Sequence, residues 1–566
     1  MNWYLYKSNP EKIKSIMKTH NVSENIAKII ENRRFNNRRK LENFLSPKFN
    51  QFHNPFLMKG MKKTVDKILK TINQKGKIFI FGDSDADGIS AVSILYNKIK
   101  DMGGEVNAYI PNRKKEGRGF SKKGVNEALK LKADLLITCD CGTNSHKSIE
   151  YANQNNLDII VTDHHLLTNK TPNVFSMLNP NQSDCKYPFK SLSGSGVVLK
   201  LIQGLTKKNE NINEEAIHLA MLGTLSDMVP LVNENRLIVY FGIKNIIKTK
   251  NFGLKKFLKN FLNKNIIKVS DITYYIIPKI NSVSRIGDPN NVLKLLTSKE
   301  KKLSSFLYNL KYYNDLRINI QKDTLNEVQI FIDNKINLKK EKVIICYSNK
   351  WEYGVLGLIA SKIRNQFNRP VILITFNSSM IGRGSARSIK GFNLLDALIF
   401  FESKLISFGG HDMASGFLIK KSNFDRFKES FLVYASRKLK IKNFEKKWNI
   451  DLNINLVDIR PDLLSFIKKL EPFGISNNKP LFLTKKLKVI GNPRIFGKGE
   501  HIKFFVKQNK KLINVVGYGM VNLYDVLIKG AFIDMIFNIE INNSGRKHII
   551  QLNAKDIRLS GTLKLN

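Results

Sequence analysis

The sequence predicts an α/β protein: a doubly wound parallel-sheet domain, a long connecting helix, a second α/β domain and a C-terminal OB-like β-barrel. Three observations carry this prediction. From about residue 61 to 300, apolar strand-like runs alternate with helix-like patterns. Four runs in this half end in acids or histidines: IFIFGDSDADG (78–88), LLITCDCG (135–142), IIVTDHH (159–165) and LGTLSDMVPL (222–231). Beyond about residue 446 the pattern changes to short β-type segments between Gly, Asn and Lys turns. Each of the four runs reads as a buried parallel strand, with its polar cluster where the strand stops. Strand carboxyl ends line a common crevice in open α/β sheets, so the clusters can converge there.

Residues 1–60 are basic and broken by polar clusters, and RRFNNRRK (33–40) is the densest charge run; they read as a helical N-terminal appendage. Within 61–300, VDKILKTINQ precedes the first strand and ISAVSILYNKIKDMG follows the acidic loop as an amphipathic helix. EVNAYIP, LLITCD, IIVTD and VFSMLNP supply further strands. Residues 301–335 lack Pro and Gly and repeat apolar residues at helical spacing, which makes 301–340 a connecting helix. A second αβ unit occupies 341–445, from EKVIICYS through GRGSARSIKGFNLLDAL to GGHDMASGFLI. Over 446–566, LKVIGNPRIF, HIKFFVKQ, LINVVGYGM, DMIFNIEIN and HIIQLNAKDIRL are the barrel strands, in the form that commonly binds nucleic acid.

The 566 residues exceed one core, and a 42% hydrophobic content excludes a disordered chain. Lys and Arg number 94 against 47 Asp and Glu, a net charge of +47 that attracts polyanions, nucleic acid first. Lys, Asn and Ile are abundant throughout, so charge alone does not establish a nucleic-acid partner. Four cysteines are too few for a disulfide framework and fit a reducing cytoplasm. Strand alternation puts Cys139 and Cys141 opposite Asp140, as small apolar packing residues. The start lacks an apolar signal core, and no apolar run approaches the ~20 residues needed to span a bilayer. A soluble protein is expected.

Asp83, Asp85 and Asp87 fall at every second position after IFIFG, so persisting strand geometry would aim all three to one side. Gly88 would let the backbone turn into the following helix. Three crowded carboxylates repel one another unless a cation neutralises them. In Asp163-His164-His165 the adjacent imidazoles point differently, so one can ligate a metal while the other meets a phosphate. Asp140 and Asp227 gain weight by joining these clusters. Carboxylates with imidazole suit a pair of divalent ions and metal-assisted phosphoester hydrolysis.

DSDADG, CDCG, TDHH and GTLSDMVPL together resemble the four motifs of the DHH phosphoesterase superfamily. GRGSARSIKGFNLLDAL with FGGHDMASGF resembles its companion DHHA1 domain. PNRKKEGRGFS (111–121), KINSVSRIGDP (279–289) and EPFGISNNKPLF (471–482) extend the likeness, in collinear order, over almost the whole chain. The resemblance implies a DHH catalytic domain at 61–300 and a DHHA1 domain at 341–445. It implies an exonuclease that degrades single-stranded DNA 5′→3′ in repair and recombination. Two Mn²⁺ or Mg²⁺ ions would be held by Asp85, Asp87, Asp140, His164 and Asp227, with Asp83 a third acid of the first motif. His165 would face the scissile phosphate and Asp163 would orient its neighbours. Arg285, Ser385 and Arg387 match positions that hold a terminal 5′ phosphate, and Arg113 matches a nearby DNA-contacting arginine. Gly382, Gly384, Gly409 and Gly410 would admit close backbone approach to DNA, and His411 matches the interface of the catalytic halves.

The implied partners are a single strand with a 5′ end, a helicase and a single-strand-binding protein, with no membrane and a monomeric chain. Glu352 stands where relatives carry His, Ser84 and Arg118 replace common aromatics, and NSVSR replaces NAAGR. No predicted ligand is lost by these departures. Two alternatives stay open: a phosphodiesterase of short oligonucleotides or cyclic dinucleotides, and an inactive nucleic-acid-binding relative.

Overall fold

Ile, Val, Leu and Phe fill both faces of the central strands, which is why they lie inside a sheet covered by helices on either side. The computed structural model describes residues 2–35, 37–117, 119–168, 171–206, 213–300, 303–527, 530–544 and 547–561, with the backbone alone at 542–544 and 547–549. Arg118, and Asn36 within RRFNNRRK, lie outside the described residues. The chain forms two compact units, Met1–Gln51 with Lys446–Asn566, and Phe52–Glu445.

Strand β1 (Asn2–Leu5) belongs to the first unit. In the second, β2 (Lys77–Gly82), β3 (Glu105–Tyr109), β4 (Leu135–Cys139), β5 (Asp158–Thr162) and β6 (Ser176–Leu178) form a parallel sheet in the order β3-β2-β4-β5-β6. Ile78, Ile80, Ile137 and Ile160 pack on one side with Val92 and Val198 of the helices Ala86–Asp101 and Gly194–Leu205. Phe79, Phe81, Leu136 and Val161 pack on the other with Val125 and Ile149 of the helices Lys122–Lys130 and His146–Gln154. Each such side chain contributes ~1.5–3 kcal/mol on burial.

The fourth run is not a strand. Glu214–Ser226 is a helix with Asp227 as its C-cap. It is apolar around its whole circumference because it is buried on all sides, so it lacks the helical stripe that periodicity detects. Cys139 and Cys141 are both buried and free, but they pack in different cores. The reason is Asp140, whose φ of 61° is left-handed and breaks the strand alternation there.

Strands β7 (Ile344–Ser348), β8 (Val371–Phe376), β9 (Ile381–Arg387), β10 (Ser407–Gly410) and β11 (Ala414–Lys420) form the second sheet, β10-β11-β9-β8-β7. Only β7 and β8 run parallel. The 32-residue helix Ser304–Lys335 joins the two sheets. Leu307 and Leu310 near its start pack in the first core, and Val328 and Ile332 near its end in the second. Internal packing requires Gly382 and Gly384 to be small. A Cβ on Gly384 would collide with the Phe417 ring, and one on Gly382 would lie 2.7 Å from Phe376.

In the other unit, β12 (Lys447–Ile450) and β13 (Leu452–Asn453) precede β14 (Phe482–Phe496), β15 (His501–Gln508), β16 (Lys511–Gly517), β17 (Phe532–Ser544) and β18 (Lys547–Leu559). The last five close into a barrel, β14-β15-β16-β18-β17 and back to β14. Closure removes exposed strand edges, and the one parallel pair, β16 with β18, fits OB topology. The sequence predicts a separate basic appendage over 1–60, whereas residues 1–51 fold with this barrel. β1 pairs parallel with β12, and Ile26, Ile29, Ile30 and Leu41 share the barrel's core.

Candidate active site

Strand β2 lies between β3 and β4, so successive connections leave it in opposite directions and open a crevice at the carboxyl ends of β2 and β4. The acids gather there because each strand's ladder runs one residue past its end. Asp83 N donates to Cys139 O at 3.1 Å, Asp140 N to Thr162 O at 2.8 Å, and Asp163 N to Leu178 O at 3.0 Å.

Strand geometry does not persist through the first acidic loop. β2 stops at Gly82 and a helix starts at Ala86, so Asp85 is its N-cap, accepting from Asp87 N at 2.9 Å and Gly88 N at 3.3 Å. Gly88 is already helical, and its lack of a side chain serves contact rather than turning, because a Cβ there would strike Asp83 O. Asp87 accepts from Gly194 N at 2.7 Å and Ser195 N at 2.9 Å, the first amides of the helix Gly194–Leu205. Two more glycines are required by approach: a Cβ on Gly194 would overlap Asp140 Oδ1, and one on Gly223 would overlap Asp87 Oδ1.

Three groups of donor atoms result, each within 4.8 Å: Asp83, Asp85 and Asp140; Asp87, His164 and Asp227; and Asp140, Asp163, His164 and His165. His164 Nε2 lies 3.2 Å from Asp140 Oδ1 and 3.6 Å from Asp227 Oδ2. Burial, then the charges of Asp87, Asp85, Asp227 and Asp83, push the Asp140 carboxyl well above the ordinary range. Burial and the charges of Asp87, Asp85 and Asp163 raise Asp227 to about 8, against the pull of His165. Burial raises Asp87 as well, against the opposing pull of His164. Burial lowers the His164 imidazole, which keeps it neutral and able to ligate.

The donors fit divalent ions. Asp140 Oδ1 is buried without a hydrogen-bond donor, and Asp227 sits at the negative end of its helix, where a carboxylate is unfavourable without a cation. Mostly carboxylate oxygens with one neutral imidazole suit Mn²⁺ or Mg²⁺.

His165 is arranged differently. Its Nδ1 bonds Asp163 Oδ1 at 2.7 Å, and its side chain is half exposed. Burial would lower the imidazolium, but the bond to Asp163 and the charges of Asp163, Asp227 and Asp83 outweigh it and raise His165 to about 9. Burial would likewise raise Asp163, but His165 and His164 hold it below the ordinary carboxylate range. Asp163 also accepts from the backbone amides of Thr143 at 3.0 Å, His164 at 2.7 Å and His165 at 3.2 Å. Near neutral pH this pair presents a proton-bearing imidazole at the rim of the acidic cluster.

Three asparagines support the site, and none was anticipated from sequence. Asn281 accepts from Ala86 N at 3.0 Å and donates to Ser226 Oγ at 3.2 Å, tying the acidic loop to the residue before Asp227. Asn181 donates to His164 O at 2.6 Å, and Asn179 to His165 O at 2.9 Å. The signal was present as LNPNQ directly after β6 and as the first residue of NSVSR.

Arg285, Ser385 and Arg387 meet around the first turns of the helix Tyr353–Phe367. Arg285 Nη1 donates to Gly354 O at 3.0 Å. A Cβ on Gly357 would lie 2.7 Å from Arg387 Nη2 and 3.2 Å from Ser385 Oγ. A helix N-terminus beside two guanidiniums and a hydroxyl can receive a phosphate. Arg113 opens the short helix Arg113–Glu116, whose cap Asn112 donates to Gly287 O at 3.1 Å, two residues beyond Arg285. Lys114 Nζ lies 3.0 Å from Glu352, so the acid at the relatives' His position is ion-paired. Buried Ser84 remains within the acidic loop. His411 is exposed in the turn between β10 and β11, where its N–H donates to Ala414 O at 2.9 Å, and it joins none of the acidic groups.

A parallel sheet with acids and histidines at its switch point, joined to a second sheet whose β9 carries Ser385 and Arg387, defines a DHH-type phosphoesterase. The DHH family N-terminal domain model matches residues 77–224, the DHHA1 domain 340–436 and the RecJ OB domain 450–556. The single-stranded-DNA-specific exonuclease RecJ of Bacillus subtilis is 30% identical over 99% of this chain and 71% of its own. That of Haemophilus influenzae is 28% identical over 88% of this chain and 90% of its own. The chain belongs to the RecJ family.

Solved structures agree on the fold. RecJ from Thermus thermophilus in complex with Mn²⁺ superposes with a TM-score of 0.83 at 24% identity, covering 100% of this chain and 81% of that one. A structure of exonuclease RecJ bound to manganese gives 0.58 at 28% identity, covering 67% of this chain and 95% of that one.

Proposed function

We propose that this protein is a metal-dependent exonuclease that degrades single-stranded DNA from its 5′ end, in DNA repair and recombination. The observation that carries the reading is the convergence of Asp83, Asp85, Asp87, Asp140, Asp227 and His164 at the sheet's switch point, with Asp140 Oδ1 buried and lacking a donor. Asp85, Asp87, Asp140, His164 and Asp227 would hold two Mn²⁺ or Mg²⁺ ions, with Asp83 beside them. Ions held there would supply an activated water and charge neutralisation for phosphodiester hydrolysis.

The chain's own residues supply the rest. His165, kept protonated by Asp163, offers an N–H to the scissile phosphate. Asn179 and Asn181 fix the carbonyls of the two histidines and with them the ring directions. Arg285, Ser385 and Arg387 would seat the terminal phosphate, with Arg113 contacting the strand nearby. A terminal phosphate carries more charge and more free oxygens than an internal diester, so this pocket prefers an end. Anchoring the 5′ end sets the first internal diester over the acids, which gives 5′→3′ direction without base readout.

The domains we propose are the DHH domain over 61–300, a connecting segment over 301–340 built around the helix Ser304–Lys335, DHHA1 over 341–445 and a barrel over 446–566 that holds several nucleotides of single strand. His411 would lie on the substrate path. Helicase-generated strands, coated by a single-strand-binding protein, are the expected supply, and a monomer the expected state. Among the described residues no helix is long and apolar enough to cross a membrane, and four buried free cysteines suit a reducing cytoplasm.

The test is digestion of 5′-labelled single-stranded and duplex DNA with Mn²⁺, Mg²⁺ or EDTA. Loss of the label from single strands only, and only with metal, is expected. Arg387→Ala should cost about 1.5–3 kcal/mol, the range for a charge-assisted contact, and more on 5′-phosphorylated than on 5′-hydroxyl strands. An unchanged ratio between those substrates puts the pocket elsewhere.

A further inference from the structure

Away from the acidic cluster, the helices Phe252–Phe261 and Ser304–Lys335 border a surface cavity of about 510 Å³. Lys256, Lys311, Phe261 and Tyr308 line it, and among the described residues no carboxylate does. One helical turn beyond Tyr308, Tyr312 stacks on it, with centroids 6.3 Å apart and planes 15° from parallel. The two rings are 67% and 50% exposed, so their apolar faces are left to water rather than spent on the core. At the cavity's other margin, Lys279 Nζ sits 4.7 Å over the Phe261 ring, and Tyr274 and Tyr275 nearby are also exposed.

This row continues toward the arginine pocket. Tyr312 meets Tyr313 edge-on at 5.2 Å, and a Cβ on Gly287 would lie 2.7 Å from the Tyr313 ring. Gly287 ends the helix that carries Arg285.

We propose that the cavity and the Tyr308–Tyr312 pair form an accessory binding site for single-stranded DNA, separate from both the acidic cluster and the barrel. Bases stack on the tyrosine faces, and Lys256 and Lys311 take the backbone phosphates. Aromatic faces interleaved with lysines bind single strands without base preference, because every base has a π-face and every linkage a charge. Among the described residues the cavity lining offers cations and no carboxylate, which suits a polyanion better than a protein partner of mixed charge. The site lengthens the grip on strands that extend past the arginine pocket and does nothing for very short ones.

The test measures binding of long and very short single-stranded oligonucleotides in EDTA, and separately their hydrolysis with Mn²⁺. Replacing both exposed tyrosines (Tyr308→Ala with Tyr312→Ala) should weaken long-strand binding roughly tenfold or more, the effect of losing one or two stacked bases. Hydrolysis of the shortest substrate should stay as in wild type, and Tyr308→Phe with Tyr312→Phe should restore long-strand affinity. Lys256→Ala with Lys311→Ala should reduce the dependence of log K on log salt by about 0.7 for each phosphate left without its lysine. Wild-type long-strand affinity in the double alanine variant, or an unchanged salt slope in the lysine variant, overturns the proposal. Failure of wild type to cleave any strand with metal is a different result and bears on the nuclease reading alone.

Discussion

At the residue scale, the acidic cluster is a store of repulsion that metal relieves. An unfolded aspartate titrates near ~3.9, while burial and mutual repulsion hold folded Asp87 and Asp140 above their ordinary range and Asp227 at about 8. The sign follows from proton counts. Between those limits the folded chain keeps protons that the unfolded chain has lost, so the stability they give is complete below ~4 and declines as pH rises toward 8. His165, raised to about 9, changes stability in the same direction. His164, lowered by burial, opposes this up to its unfolded value of ~6.5. Metal-free protein should therefore lose thermal stability above that pH and toward 8.5, and Mn²⁺ should raise Tm most at the upper end, as followed by melting with EDTA or metal. Asp140→Asn removes one charge, and Asn tolerates the left-handed φ of 61°. That variant should melt higher than wild type without metal, gain less from Mn²⁺ and lose hydrolysis; full activity in saturating metal would remove Asp140 from the ligand set. Asn281→Ala should leave DNA affinity near wild type but lower kcat, because it frees Ala86 N from Ser226 without touching a carboxylate. A purely stabilising role would instead appear as a lower Tm with unchanged kcat.

At the element scale, helix starts and helix glycines set the geometry. Ala in place of Gly usually gains ~0.5–1 kcal/mol inside a helix. At Gly194 and Gly223 the added methyl meets the carboxylates of Asp140 and Asp87, so the sign reverses. Gly194→Ala and Gly223→Ala should each destabilise by ~1–3 kcal/mol, as overpacking does, and suppress metal-dependent cleavage. Denaturant melts with activity assays on the same preparations check this. Such contacts explain what could be read from sequence. The runs ending at Gly82, Cys139 and Thr162 were legible as strands because parallel strands are apolar on both faces and the acids mark their ends. The helix Glu214–Ser226 was not, since EEAIHLAMLGTLS is buried all round and shows no stripe. The every-second spacing of Asp83, Asp85 and Asp87 suggested a shared strand face, but Asp85 caps a helix and Asp87 lies in its first turn. Asn179, Asn181 and Asn281 stand in LNPNQ and NSVSR, but they could not be singled out there because asparagine is common throughout this chain.

At the scale of the whole molecule, the pairing least visible in sequence is that of the two chain ends. β1 spans four residues and pairs with β12 more than 400 positions later, and local periodicity cannot report a partner so distant. Ile26, Ile29, Ile30 and Leu41 are buried in the barrel's core, beside Leu456, Leu463 and Leu470. Deleting 446–566 alone therefore strips these four side chains of their cover. At ~1.5–3 kcal/mol each, the loss is roughly 6–12 kcal/mol, comparable with the whole stability of a typical domain. Such a truncation should aggregate, and its failure to bind DNA would say nothing about the barrel. The informative deletion removes both ends and keeps Phe52–Glu445, which forms a compact unit of its own and contains the acids, His164, His165, Arg285, Ser385 and Arg387. That fragment should remain soluble in gel filtration and cleave very short single strands at near the full-length rate. Its affinity for long strands should fall by ~1–3 kcal/mol for each base the barrel no longer stacks. Equal long-strand affinity of fragment and full-length protein, measured by fluorescence anisotropy in EDTA, would mean that the barrel takes no part in holding the substrate.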